Sequence, residues 1–349
     1  MQPFGLSFVR ALGAAALGFG LALPGLAQAQ TAPASASNSF DAVKARGQLI
    51  CGVNTGLAGF AQPDSQGVWR GFDVDYCKAI AAAIFGDPGK VRYVPTTAQV
   101  RFTALQSGEI DVLSRNTTWT LSRDTSLGLD FAATNFFDGQ GFMVKTSLGV
   151  KSAKELEGAT ICVQPGTTTE QNLSDWSRAS KIKFTPVVIE RLEEIVSAYV
   201  AGRCDAYTTD VSGLAATRSA QPKPEDHLIL PEVISKEPLA LGVRQGDARF
   251  ADVVRWTHFL LLSAEEFGVT AANVDKMATD PRPEVKRMFS KDGGLGPMLG
   301  LPELWAVNVI KAVGNYGEVF ERSLKPIGIQ RGPNALWTNG GLQYSPPFR

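Results

Sequence analysis

From residue 49 onward the chain alternates short apolar runs with stretches of helical period. Residues 49–53 predict a strand, and 74–85 predict a helix with Val74, Cys77, Ile80, Ala81 and Ile84 on one face. Residues 91–94 predict a second strand, 100–107 a helix stopped by Gly108, and 110–113 a third strand. This β-α-β-α-β order predicts a largely parallel, helix-covered sheet, whose ligands sit at the carboxyl ends of its strands.

The pattern restarts after the apolar run 142–144. Ser152 and Glu155 have capping-box spacing before a short helix, and 160–163 predict a strand. The loop 164–168, Gln-Pro-Gly-Thr-Thr, leads into a helix over 169–178, followed by a strand at 187–189. Leu192, Ile195, Val196, Tyr199 and Val200 form a helical stripe that ends at Gly202, and 204–208 predict another strand. A second unit thus repeats the first. After a strand at 239–243 the chain becomes helical over 250–266, with further helical segments at 273–288 and 304–324 and breaks at Gly293-Gly294 and Gly340-Gly341. The first unit is left at about Phe137 and rejoined at about Ala240, and two crossings between lobes make a hinge. The expected organisation is a first lobe of residues 41–139 and 240–349, with a helical tail from about 267, and a second lobe of 140–239.

The amino terminus changes where this molecule is expected to work. Arg10 precedes an apolar run from 11 to 26 and the small-x-small triplet Ala27-Gln28-Ala29, so residues 1–29 read as a secretory signal peptide. The run is short for a bilayer span and carries Pro24 and Gly25 near its end. Residues 30–40, rich in Ala and Ser, read as a flexible leader. About 320 residues remain, more than one core usually covers. With 34 basic and 34 acidic residues, charge gives no reason to expect nucleic acid or an anionic membrane surface as a partner. Four cysteines, Cys51, Cys77, Cys162 and Cys204, in an exported chain suggest two disulfides. Three pairings are allowed, and Cys51-Cys77 with Cys162-Cys204 keeps each bridge inside one lobe. A zinc site is disfavoured by the lack of CxxC and by only two histidines.

Six segments carry a resemblance: Gly52-Val-Asn-Thr-Gly-Leu-Ala-Gly-Phe60, Gly71-Phe-Asp-Val-Asp75, the run 102–111, Thr118-Trp-Thr-Leu-Ser-Arg123, Gly166-Thr-Thr-Thr-Glu170, and Gly202-Arg-Cys-Asp-Ala-Tyr-Thr-Thr-Asp210. In this order the chain resembles the extracytoplasmic solute-binding proteins of polar and general L-amino-acid ABC transporters. The resemblance implies an α/β, two-lobed type II periplasmic-binding-protein fold, each lobe a helix-covered mixed sheet, here with a helical carboxyl-terminal extension. It implies a periplasmic, monomeric receptor without cofactor or metal, whose partners are free amino acids, broad in range with polar and acidic ones favoured, and the permease subunits of an ABC importer.

A free amino acid presents a carboxylate and an ammonium on one carbon, so its site needs a planar cation, several donors and an opposing carboxylate. Arg123 can take the carboxylate through two parallel bonds. By similarity Asn116 and Thr118 add contacts, Thr168 at a helix start grips the same carboxylate, and Asp210 accepts the ammonium. Plainer roles compete: a surface pair with Asp124 or Asp130 for Arg123, and helix caps for Thr167, Thr168 and Asp210. Asp73 and Asp75 read as acids complementing a helix dipole. Selective relatives often carry an aromatic residue three positions before the one matching Phe60, and here that place is Leu57, which implies a looser side-chain pocket with Leu57 and Phe60 among its expected residues. Arg101 and Arg115 could reach an acidic side chain, although such charges are more often solvated, and Trp119 either walls the site or lies in the core. The competing function is an exported dehydratase-like enzyme on the same fold acting on aromatic amino-acid precursors. Asp210 argues against it, since a keto acid offers no ammonium. A signalling ectodomain would require a membrane span.

Overall fold

The computed structural model describes residues 39–349; the expected signal peptide and most of the expected leader lie outside the described residues. The leader's last two residues, Ser39 and Phe40, are instead the buried start of helix α1, Ser39–Arg46, because Phe40 stacks on Phe250 and its N–H donates to Asp247.

The first sheet is built from β1 (Leu49–Asn54), β4 (Val91–Thr96), β5 (Val112–Leu113), β6 (Leu129–Asp138) and β12 (Glu237–Arg244), with a small hairpin of β2 (Gln62–Pro63) and β3 (Trp69–Arg70) beside it. Its order is β4-β1-β5-β12-β6, with β4, β1 and β5 parallel and β12 antiparallel to both its neighbours. The second sheet contains β7 (Gln140–Lys145), β8 (Thr160–Val163), β9 (Thr185–Val188), β10 (Ala206–Asp210) and β11 (His227–Ile229), in the order β11-β7-β10-β8-β9. Again three strands are parallel and the crossing strand β7 runs against them. The chain passes between sheets at Asp138–Gln140 and returns at Glu237, so the two crossings lie side by side.

Helix α2 (Phe72–Phe85) is buried along almost its whole length, because sheet one covers one side and the tail the other. Each fully buried large apolar side chain there contributes about 1.5–3 kcal/mol. Gly71 precedes it at φ 128°, where a Cβ would meet the Phe60 carbonyl oxygen at 2.2 Å, so the chain can turn into the helix only with glycine. Helices α3 (Arg101–Ser107) and α4 (Leu121–Ser126) flank the ends of β5 and β6. In the second lobe α5 (Thr168–Ser180), α6 (Leu192–Val200) and α7 (Val211–Ser219) cover the sheet. Helix α8 (Ala248–Glu266) leads to a tail containing α9 (Pro283–Phe289), α10 (Leu295–Leu299), α11 (Trp305–Val313) and α12 (Tyr316–Ser323), packed on the first lobe. The tail also reaches the hinge: Asn334 exchanges two hydrogen bonds with the Phe137 backbone, at 2.7 and 3.0 Å.

Cys51 is bonded to Cys77 and Cys162 to Cys204, one bridge in each lobe. The capping box expected at Ser152 and Glu155 does not form. The Glu232 carboxylate takes the Ala153 N–H at 3.0 Å and the Ser152 hydroxyl at 2.5 Å, leaving only a short 3-10 turn. Among the described residues no helix is long and apolar enough to cross a membrane.

Candidate ligand cleft between the lobes

In the first lobe the loop after β5 is held from below. Asp73, at the start of α2, accepts the Asn116 N–H at 3.2 Å and offers its carbonyl to the Ser114 hydroxyl at 3.0 Å. Asp73 is therefore more than a dipole-complementing acid: it braces the loop, while Asp75 pairs with Lys78 and with Arg322 of the tail. Asn116 adopts φ 24°, an unusual backbone angle for a non-glycine residue, with its side-chain oxygen accepting from Asn54 Nδ2 at 3.0 Å.

The same lobe supplies three buried arginines. Arg123 Nη1 donates to the Thr118 carbonyl at 2.9 Å, Arg115 Nε to the Thr96 carbonyl at 3.0 Å, and Arg101 Nη1 to the Thr117 hydroxyl at 3.3 Å. Arg101 and Arg123 both lie over the Phe102 ring, at 4.7 and 5.0 Å from its centre, so one aromatic ring contacts two guanidinium groups. The solvated reading of Arg101 and Arg115 is overturned. Their backbones sit at strand and helix ends, but both side chains are buried, with Asp210 of the second lobe near enough to act on their charge. Nor does Arg123 pair with Asp124 or Asp130; its guanidinium points inward.

The second lobe meets this cluster at the ends of β8 and β10. Gly166, at φ 70°, turns the chain so that Thr167 caps α5, accepting the Glu170 N–H at 3.1 Å, while Glu170 returns a bond to the Gly166 N–H. With capping done by Thr167, the Thr168 hydroxyl is free to face Thr118 at 3.3 Å. Asp210 occupies the position before α7 but makes no capping bond. The Ser212 N–H is served by Asp138 of the first crossing, at 3.3–3.4 Å, which leaves the Asp210 carboxylate for other work.

The cleft is electrically polar. Burial, then Arg115 and Arg123, push the Arg101 guanidinium well below its ordinary range, with Asp210 opposing. Burial lowers Arg115 to about 10 and lowers Arg123 as well. At the other pole burial, then Asp138 and Glu237, raise Asp210 well above a usual carboxylate, and burial lifts Asp138 to about 6. Beside Arg115 in the first lobe, burial also lifts Asp73 to about 7. A ligand bearing carboxylates at one end and an ammonium at the other relieves both crowdings. Among the described residues three buried side-chain atoms lack a hydrogen-bond partner, and two of them, Arg101 Nε and Gln140 Oε1, belong to this region.

Of the other expected pocket residues, Phe60 lies in the first lobe's core, edge-on to Phe72 and Phe136, rather than in the pocket. Leu57 is buried at the rim where the loop 55–62 faces α6 and α7. Trp119 is 38% exposed, stacked on Phe131, and lines a groove of about 1260 Å³ on the hinge side. Sequence reasoning missed Glu237, Gln140, Asp138 and Phe102. The first three sit on the crossing strands, and their signal was available in the position of polar residues at predicted lobe boundaries. Among the described residues no cluster of three or more His, Cys, Asp or Glu could hold a metal ion.

Two mixed sheets joined by paired crossings, with charged groups converging from both sides, define a hinged solute-binding protein of the periplasmic type. Residues 49–257 match the bacterial extracellular solute-binding proteins, family 3, and the chain belongs to that family. It is 58% identical over 323 residues to the general L-amino acid-binding periplasmic protein AapJ of Rhizobium johnstonii, covering 91% of this chain and 95% of the relative. It is 56% identical to the glutamate/glutamine/aspartate/asparagine-binding protein BztA of Rhodobacter capsulatus, covering 92% and 96%. A solved ABC-transporter periplasmic binding protein from Brucella ovis, with glutathione bound, is 59% identical and superposes with a TM-score of 0.88 over 90% of this chain and all of that one, at 100%.

Proposed function

We propose that the protein is a periplasmic receptor that captures free L-amino acids, acidic and polar ones above all, between its lobes and presents them to the permease subunits of an ABC importer. The observation that carries this is the meeting of Arg123, from the first lobe, with Asp210, from the second, in one buried cleft. Arg123 takes the α-carboxylate with Asn116 and Thr118 beside it; Asp210 takes the ammonium; Thr168 brings the second lobe onto the same head group. Because the two charges come from different lobes, a ligand that satisfies both favours the closed form by its differential affinity.

Arg101 and Arg115 face the remaining end, where a side-chain carboxylate or amide finds donors. Leu57 closes the rim without stacking on the ligand, consistent with breadth. What unites the substances in the relatives' names is the head group: free amino acids have it, and so does the γ-glutamyl residue of glutathione, whose α-amine and α-carboxylate are both free. The receptor reading also entails release of the ligand unchanged, in place of the dehydratase-like alternative.

The test is a thermal-shift panel over the twenty L-amino acids and glutathione, followed by calorimetry on those that respond. Glutamate, aspartate and their amides should raise the melting temperature most, with the bound ligand recovered intact. Turnover of an aromatic precursor with no response to any amino acid overturns the receptor reading, and a response to a single amino acid overturns the breadth.

A further inference from the structure

Glu237 begins the return crossing and is buried, and its carboxylate gathers donors from both lobes and the hinge. Oε2 accepts the Thr118 hydroxyl at 2.6 Å and the Thr168 hydroxyl at 2.9 Å. Oε1 accepts Asn172 Nδ2 at 2.7 Å and the Ser235 hydroxyl at 2.5 Å. A carboxylate so filled only accepts, and a hydroxyl has one proton. The protons of Thr118 and Thr168 are therefore committed to Glu237, and what either hydroxyl can turn toward a ligand is a lone pair. Its charge also adds to the field of Asp210, whose carboxyl it raises.

We propose that Glu237 is a positioning residue that sets the polarity of the amino-acid head-group site: by fixing both threonine hydroxyls as acceptors, it makes them part of the ammonium seat and withholds them from the ligand's carboxylate. This rests on the amino-acid reading above and refines it. Thr168 then serves the carboxylate only through the N–H groups of the first turn of α5, while its hydroxyl joins Asp210 and Thr118 around the ammonium. Since the four donors come from the first lobe, the second lobe and the hinge, the polarity is fully set only when the cleft is closed.

The experiment compares L-glutamate with 2-oxoglutarate, which keeps both carboxylates and replaces the ammonium with an acceptor. Wild-type protein should bind glutamate and strongly reject 2-oxoglutarate. In Glu237→Met the hydroxyl protons are released to the cleft, so glutamate affinity should fall at least tenfold while 2-oxoglutarate affinity holds or rises; Glu237→Gln, keeping one oxygen acceptor, should fall between. Equal loss of both ligands, or an unchanged preference, overturns the proposal. If Glu237→Met does not fold, the isosteric Thr118→Val and Thr168→Val variants carry the test, because they delete the acceptors directly and should narrow the same ratio. Wild-type protein that binds no amino acid overturns the receptor reading itself, a result distinct from a folded variant that retains the wild-type ratio.

Discussion

The two lobes share one scheme, three parallel strands beside an antiparallel crossing strand with a disulfide in each. Each also buries one of the two histidines against a tyrosine hydroxyl, His258 on Tyr76 at 2.8 Å and His227 on Tyr199 at 2.9 Å. Their contributions to the cleft are nevertheless opposite. The first lobe supplies Arg101, Arg115 and Arg123, held by backbone carbonyls, a threonine hydroxyl and contact with the Phe102 ring. The second supplies Asp210 and Thr168, neither of which caps a helix because Asp138 and Thr167 serve the N–H groups there. Repeating the architecture fixes where a ligand sits, while the charge on each strand end decides which end of it faces which lobe.

The comparison breaks most severely at Arg123. Replacing it with alanine removes the cation proposed to take the ligand's carboxylate and weakens the positive field on the desolvated Asp210, to which Arg101 also contributes, so affinity for every amino acid should fall by about 2–5 kcal/mol, thirtyfold or more. Calorimetry on the folded variant checks this, and retained affinity would sink the assignment. Arg101→Leu is a smaller and more selective change. It should cost glutamate and aspartate about 1.5–3 kcal/mol, the usual worth of a hydrogen bond to a charged group, and glutamine less. Equal losses across these ligands would place Arg101 outside the side-chain end.

The repeated scheme was legible in the chain because each parallel strand is a short apolar run followed by a helical stripe, and because Gly108 and Gly202 stop helices where the period predicts. The placement of Arg123, Thr168 and Asp210 at the cleft was legible through the motifs around them; their contacts to a ligand belong to the proposal. The environment of Arg101 and Arg115 was not, since the groups around them, Asp73, Thr96, Thr117 and Asp210, are scattered along the chain and no local pattern records their meeting. Glu237 was hidden for a related reason. Its four donors, Thr118, Thr168, Asn172 and Ser235, are scattered along the chain and converge only when the crossings lie side by side. Phe60 errs the other way: a motif position near the pocket was assigned to it, and the aromatic core took the side chain.

The mildest expected effect separates the cleft from the core by pH. Burial lowers His258 to about 3, so its contribution to stability is complete above its unfolded value near 6.5 and is lost, at about 1.4 kcal/mol per unit, as pH falls from there toward 3. Asp73, raised to about 7, and Asp138, raised to about 6, act in the other direction, since the folded state holds their protons more tightly and gains stability as pH falls toward the unfolded value near 4. Two raised carboxyls outweigh one lowered imidazole, so the unliganded protein should gain stability and melt at a higher temperature as pH falls from 6 toward 4.5, and His258→Gln should steepen that gain. Ligand affinity has no such offset. An ammonium needs Asp210 ionised, and burial with Asp138 and Glu237 nearby raises that carboxyl, so affinity should fall on acidification by up to about tenfold per unit, with proton release on binding. Calorimetry in buffers of different ionisation enthalpy measures that release directly. Affinity that stays flat from pH 7 to 5 would mean that the ligand does not place its ammonium against these carboxyls.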